Sequence, residues 1–287
     1  MRVLYATDGS EAAHAAGDVI VATADRADVD VTVLSVVPEG MPAVKHLPDA
    51  LRPAEEARQR AERAVAKGAT RLRDEGFTVD EMITSGRPDE VITATAADIG
   101  ADLLVVGAGP RSMVVGRLLG SVTTALLHGP TSMLITRDAP AGGPVNVVIG
   151  TDGSAHAGRA VELAATYLDP QRCDVTVVSV AVLIVSTHEA PYGGYATNAP
   201  RESFEAVAGP AREHVEKAAT TLRARGFEPR TEVVLGHPVK RLLGVATETD
   251  ASLVVVGGRG MSYPDRVFLG SVSDQLVRQA PACMVAR

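Results

Sequence analysis

Short runs of apolar residues alternate along the chain with longer stretches whose apolar positions recur every three or four residues. In the first half, residues 2–7, 31–37, 79–84, 103–107 and 132–136 carry the first pattern, and residues 11–24, 54–75, 88–99 and 119–128 the second. The prediction is strands and helices in the order βαβαβαβαβ. Runs such as Leu103-Leu104-Val105-Val106 and Leu253-Val254-Val255-Val256 are apolar on both faces of the pleat, the mark of parallel strands covered by helices on each side. Right-handed crossovers then build an open, doubly wound sheet. Its ligand cleft lies beyond the carboxyl ends of the strands, where strand order reverses.

The pattern occurs twice. Val3-Leu4-Tyr5-Ala6-Thr7-Asp8-Gly9-Ser10 matches Val147-Val148-Ile149-Gly150-Thr151-Asp152-Gly153-Ser154 at a shift of 144 (147 − 3), with the Thr-Asp-Gly-Ser tetrad identical. Gly76-Phe77, Gly86-x-Pro88 and Leu119-Gly120-Ser121-Val122 match Gly226-Phe227, Gly236-x-Pro238 and Leu269-Gly270-Ser271-Val272 at a shift of 150 (226 − 76). The second copy therefore carries six extra residues (150 − 144), expected in the long loop 186–200 with Tyr192, Gly193, Gly194 and Tyr195; its counterpart is 38–53, with four prolines. Asp138-Ala-Pro140-Ala-Gly142-Gly143-Pro144 reads as a linker. The expected architecture is α/β, two tandem doubly wound open parallel five-stranded sheets, over residues 1–139 and 145–287.

Composition narrows the classes. The 46% hydrophobic and 22% charged content suits globular cores, and with aromatics at 3% and no Trp those cores are built from Val, Leu, Ile and Ala. A net charge of −7 without any Lys/Arg run speaks against nucleic-acid binding. Cys173 and Cys283 stand in no metal or disulfide pattern, and the seven histidines have no metal-ligand spacing. His14 and His156 read as helix-surface residues, and His237 as part of a turn. The chain enters a strand at Val3 without a leader pattern, and its longest apolar stretch, around Val175 to Val185, is far below the ~20 residues that span a bilayer. A cytoplasmic protein with no membrane contact is expected.

The strongest chemical signal is Gly257-x-x-Gly260, nine residues, then Gly270-Ser271, beginning where the fourth strand of the second copy ends. Glycines let a ligand approach bare backbone, and successive N–H groups ahead of a helix start form an anion nest suited to a polyphosphate. The Ser271 hydroxyl either caps that helix or reaches a phosphate oxygen.

These residues, together with the two strand-Thr-Asp-Gly-Ser segments and the Gly-x-Pro turns, resemble the universal stress protein family, in its tandem-domain, ATP-binding type. The resemblance spans nearly the whole chain, twice over. It implies the fold shared with adenine nucleotide alpha hydrolase-like proteins, ATP as the ligand, and magnesium as an optional companion. It also implies that Asp152 faces the adenine–ribose end and that the Val180 backbone meets the adenine edge. Val256, Gly257, Gly260, Gly270, Ser271 and Val272 then surround ribose and phosphates. The first-copy counterparts are Asp8, Val36, Gly107, Gly120, Ser121 and Val122. There the pattern departs: Pro110 stands where the second glycine belongs, and Pro has no N–H to offer a phosphate. Gly109 sits one place early. Weaker or absent binding is expected in this copy, with Arg111 or Arg117 as a rescue.

Bland readings compete at several positions. Asp8 and Asp152 equally suit turn-making, since Asp-Gly-Ser after a strand is ordinary turn chemistry. Arg259 and Arg266 read as solvated, with phosphate neutralisation as the alternative, and Tyr192 and Tyr195 as loop residues rather than base-stacking ones. The functional expectation is a nucleotide-dependent regulatory or stress-response protein, not an enzyme, because no Walker loop or kinase-type set is present. The alternatives are a slow ATPase or phosphoryl or nucleotidyl transferase, and a dimerisation scaffold that binds no nucleotide. By resemblance, residues 132–136 and 282–286 pair the two domains within one chain; a homodimer and an unknown regulatory protein are the further partners.

Overall fold

In the computed structural model of the chain, residues 1–39, 52–108, 119–140, 142–182, 184–187, 190–195, 201–259 and 269–287 are described. They form two units, Met1–Pro140 and Ala141–Arg287.

In the first unit β1 (Arg2–Ala6), α1 (Glu11–Thr23), β2 (Asp30–Pro38), α2 (Arg52–Asp74), β3 (Thr78–Gly86), α3 (Pro88–Asp98), β4 (Leu103–Gly107), α4 (Ser121–Leu126) and β5 (Ser132–Thr136) follow one another. All neighbours are parallel, in the order β5-β4-β1-β2-β3. The chain steps outward from β1 through β2 to β3, then returns to β4 on the other side of β1. The reversal falls between β1 and β4, which places a cleft at their carboxyl ends. α1 packs with α2 and α3 with α4, as right-handed crossovers on opposite faces require. Val3, Leu4, Tyr5 and Leu103 to Val106 are buried, so strands apolar on both faces are covered on both.

The second unit repeats this with β6 (Val145–Gly150), α5 (Ala155–Tyr167), β7 (Cys173–Ala181), α6 (Arg201–Arg223), β10 (Arg230–Leu235), α7 (Pro238–Glu248), β11 (Leu253–Gly257), α8 (Ser271–Gln279) and β12 (Ala282–Ala286), in the order β10-β7-β6-β11-β12. Pairing of Gly150 with Val178 repeats that of Ala6 with Leu34, so the shift of 144 holds through β7 (178 − 34). It is 150 by Gly226-Phe227. The extra residues therefore fall between, where an antiparallel hairpin of β8 (Ile184–Thr187) and β9 (Ala190–Tyr195) occupies part of the stretch expected as loop 186–200.

The expected elements recur within a few residues, α4 among them. It starts at Ser121 instead of 119 because Gly120, with φ −61° and ψ 157°, is extended and serves as the N-cap. Pro88 and Pro238 each occupy the first turn of their helices, where a missing N–H breaks no hydrogen bond.

Candidate functional site

At the end of β1 and of β6 the Thr-Asp-Gly-Ser tetrad builds the same turn. The Ser10 and Ser154 amides donate to Asp8 Oδ1 and Asp152 Oδ1 at 2.9 and 3.0 Å. The amides of Gly9 and Gly153 donate to the hydroxyls of Thr7 and Thr151 at 3.2 and 3.3 Å. Ser10 and Ser154 then cap α1 and α5, their Oγ atoms accepting from the amides of Ala13 and Ala157. A φ of +76° at Gly9 and +77° at Gly153 explains the glycine, since only a residue without Cβ holds that angle at no steric cost. The turn-making reading of Asp8 and Asp152 is thus realised in both units, with one carboxylate oxygen of each engaged in this way.

Beside each turn the neighbouring strand runs on, paired only on its far side. Val178 C=O accepts from the Thr151 amide, past the last β6–β7 pair, Gly150 with Val178. Ala181 C=O instead accepts from Gly236, on the β10 side. Backbone groups in a parallel ladder alternate sides, so the N–H and C=O of Val180 face the β6 side after β6 has turned away. Val36 stands likewise beyond the bond from the Thr7 amide to Leu34 C=O.

The glycines that end β4 and β11 have a packing reason that the sequence pattern did not reveal. A Cβ on Gly257 would lie 2.6 Å from His156 C and 2.8 Å from Ala157 N; one on Gly107 would lie 2.5 Å from Ala12 C. The first turn of α1 or α5 therefore rests directly on the end of the strand. Val256, just before, is buried in β11.

Each loop after these strands is pinned at its base. Gly258 N–H donates to Ala286 C=O at 2.7 Å, Gly270 N–H to Gly258 C=O at 2.8 Å, and Ser273 Oγ to Gly257 C=O at 2.7 Å. Ala108, Gly120 and Thr123 make the same three bonds in the first unit, at 2.7, 2.9 and 3.0 Å. The span between is not described, so Gly260 and Arg266, and Gly109, Pro110, Arg111 and Arg117, lie outside the described residues. Tyr192 and Tyr195 are described only as backbone in β9.

Ser271 does not cap α8. Gly270 is the N-cap, makes no side-chain cap bond, and leaves Ser271 as the first helical residue, exposed, with Val272 half-buried behind it. The first intrahelical bond runs from the Asp274 amide to Gly270 C=O, so the amides of Ser271, Val272 and Ser273 have no acceptor inside the helix. Gly120, Ser121 and Val122 repeat this arrangement at α4.

Charge separates the units. In the second, His156 Nδ1 lies 2.6 Å from the Arg159 guanidinium, whose Nε donates to Arg287 C=O at 2.8 Å. A Cβ on Gly258 would meet the Arg287 side chain at 3.5 Å, and one on Gly270 the Cα of Arg259 at 3.4 Å. Burial, then the charges of Arg159, Arg259 and Arg287, hold the His156 pKa below the usual histidine value, with Asp152 opposing. Burial and then Arg259 also lower that of Arg287. His156 thus pairs with Arg159 at the helix surface, and the charge of Arg259 is felt at both His156 and Arg287. Arg159 and Arg287 escaped the sequence reading because neither lies in a glycine motif.

The first unit has Ala12, Ala15 and Gly109 where the second has His156, Arg159 and Arg259. Its cations sit elsewhere, around a groove of ≈ 200 Å³ between Asp8, His14, Arg60, Arg63 and Lys67, with Lys67 Nζ 3.3 Å from His14 Nε2. The second unit has Gly158, Pro210, Glu213 and Lys217 at the positions of His14, Arg60, Arg63 and Lys67. There the His214 ring, at the position of Ala64, packs on Gly153.

Among the described residues no group of three or more His, Cys, Asp or Glu side chains could hold a metal ion, and no helix is long and apolar enough to cross a membrane.

The model of the universal stress protein family matches residues 1–137 and again 145–286. The chain belongs to that family. Universal stress proteins of Mycobacterium bovis and Mycobacterium tuberculosis are each 28% identical to it over 99% of this chain and 94% of their own length. Among solved structures, a universal stress protein from Archaeoglobus fulgidus covers 100% of this chain and 98% of its own at 20% identity, with a TM-score of 0.70. That likeness shows the shared fold.

Proposed function

We propose that the second unit binds an adenine nucleotide, ATP, across the carboxyl ends of β6 and β11, and that the chain is a cytoplasmic, nucleotide-responsive regulatory protein with little or no turnover. The observation that carries this reading is a convergence of main-chain donors. The Val180 backbone faces the space that β6 has vacated, as an adenine edge requires, and the amides of Ser271 and Val272 open at the start of α8, which carries no side-chain cap bond and where the helix dipole favours a phosphate. Asp152 stands between them at the turn, able to accept from a ribose hydroxyl with its remaining acceptor capacity. Gly257, Gly260 and Gly270 keep side chains out of the loop. Asp8, Val36, Gly107, Gly120, Ser121 and Val122 form the corresponding set of the first unit, which binds more weakly. Magnesium, where present, arrives with the phosphates. Regulation follows if occupancy changes what a protein partner meets.

Ser271→Pro tests the reading in isolation. Proline suits the first helical position but removes one N–H, so ATP affinity in equilibrium dialysis falls about tenfold while the melting temperature holds. Undiminished affinity would contradict it.

A further inference from the structure

The loop motif supplies main-chain amides, and these serve a mono- or a triphosphate alike. The cations of the second unit are a separate feature. Three sequence-distant segments deliver them to one place: the first two turns of α5 carry His156 and Arg159, Arg259 follows β11, and Arg287 follows β12. The segments are tied to one another and to the loop base. Arg159 bridges His156 and Arg287 C=O, Arg287 lies along Gly258, and the His156 backbone abuts Gly257. Like charges gathered this closely repel. The Asp152 carboxylate opposes them at His156. A multiply charged anion would relieve that repulsion, and a triphosphate extends over several groups where a monophosphate meets fewer.

We propose that His156, Arg159, Arg259 and Arg287 form a side-chain subsite for the terminal phosphates, making the second unit selective for nucleoside triphosphates over monophosphates. This rests on the reading of that unit as the nucleotide cleft and adds residues outside the glycine motif. The first unit, with Ala12, Ala15 and Gly109 in place of three of the four, has only Arg137 at the position of Arg287 and lacks the subsite.

A proton follows from the same geometry. The charged groups around His156 are Arg159 on its own helix, Arg259 after β11, Arg287 after β12 and Asp152 before the helix; His214 of α6 lies on the far side of Gly153. In the free protein burial and the arginines favour the neutral ring. A polyphosphate favours the imidazolium, so binding takes up a proton over the range in which the ring titrates.

The test is titration calorimetry of the full chain with ATP and with AMP, for the wild type and for Arg159→Gln, Arg287→Gln and His156→Gln, each checked by thermal melting. The wild type is expected to bind ATP at least about tenfold tighter than AMP, and each arginine variant to lose about tenfold for ATP while AMP affinity stays within about twofold. Repeating the ATP titration in buffers of different ionisation enthalpy should show proton uptake that His156→Gln removes. Equal affinity for ATP and AMP in the wild type, or equal losses for both in the arginine variants, overturns the subsite and leaves the nucleotide cleft standing. Failure of both nucleotides to bind overturns the cleft as well.

Discussion

The two units build one scaffold and arm it differently. Both make the same Asp-Gly-Ser turn, rest the first turn of α1 or α5 on a strand-ending glycine, and pin the same loop base with three matching hydrogen bonds. They differ in where positive charge lies. The second unit gathers it at the carboxyl ends of β11 and β12, and the first along α2 beside His14. Since the scaffold is shared, the difference teaches that these glycines and turns serve folding before they serve any ligand. Ligand preference must come from what is not shared.

Alkaline unfolding gives the largest expected effect. Burial pushes the Tyr5 hydroxyl of the first unit, which donates to Ala13 C=O at 2.6 Å, from 10.0 up to about 12, and the Cys173 thiol of the second from 9.0 up to about 12. In each case the folded state keeps a proton that the unfolded chain gives up. Stability is therefore intact below the unfolded value and lost as pH rises towards 12, by roughly 3–4 kcal/mol when fully developed. The second unit should begin to weaken about one pH unit lower than the first, and Cys173→Ala should remove its share. Denaturant melts followed by unit-specific probes would reveal the order; simultaneous loss, unaltered by Cys173→Ala, would break the contrast.

Gly107→Ala and Gly257→Ala sharpen the shared half of the comparison. An added methyl group meets helix backbone in both units, so each substitution should cost about 2–3 kcal/mol in chemical denaturation without nucleotide. A glycine kept only for phosphate approach would cost almost nothing there. Smaller still, Ser10→Ala and Ser154→Ala each remove one cap and should cost about 1 kcal/mol, equally in the two units. Unequal losses would show that the turns are not equivalent.

The fold was legible because both of its signals are periodic. Val-rich runs apolar on both faces give buried parallel strands, and a tetrad repeated at a shift of 144 gives two units. The α4 boundary was misplaced because the extended φ and ψ of Gly120 leave no trace in an apolar pattern. At the site the limits were physical as well. The reason for Gly257 is a contact with His156, a hundred residues earlier, and the cluster of Arg159 and Arg287 is made by packing across 128 residues. Ser271 followed a glycine and looked like a cap, yet the cap is Gly270 itself. The contrast of Pro110 with Gly260 falls outside the described residues, so the asymmetry of the two units rests on described side chains that no glycine motif contains.

Whether the second unit is the stronger nucleotide site is decided by native mass spectrometry of the full chain at one equivalent of ATP. The second unit is expected to hold most of the bound nucleotide, with occupancy kept when Ser121→Pro is introduced and sharply lowered by Ser271→Pro. No bound nucleotide, equal losses in the two variants, or a loss confined to Ser121→Pro would contradict that assignment.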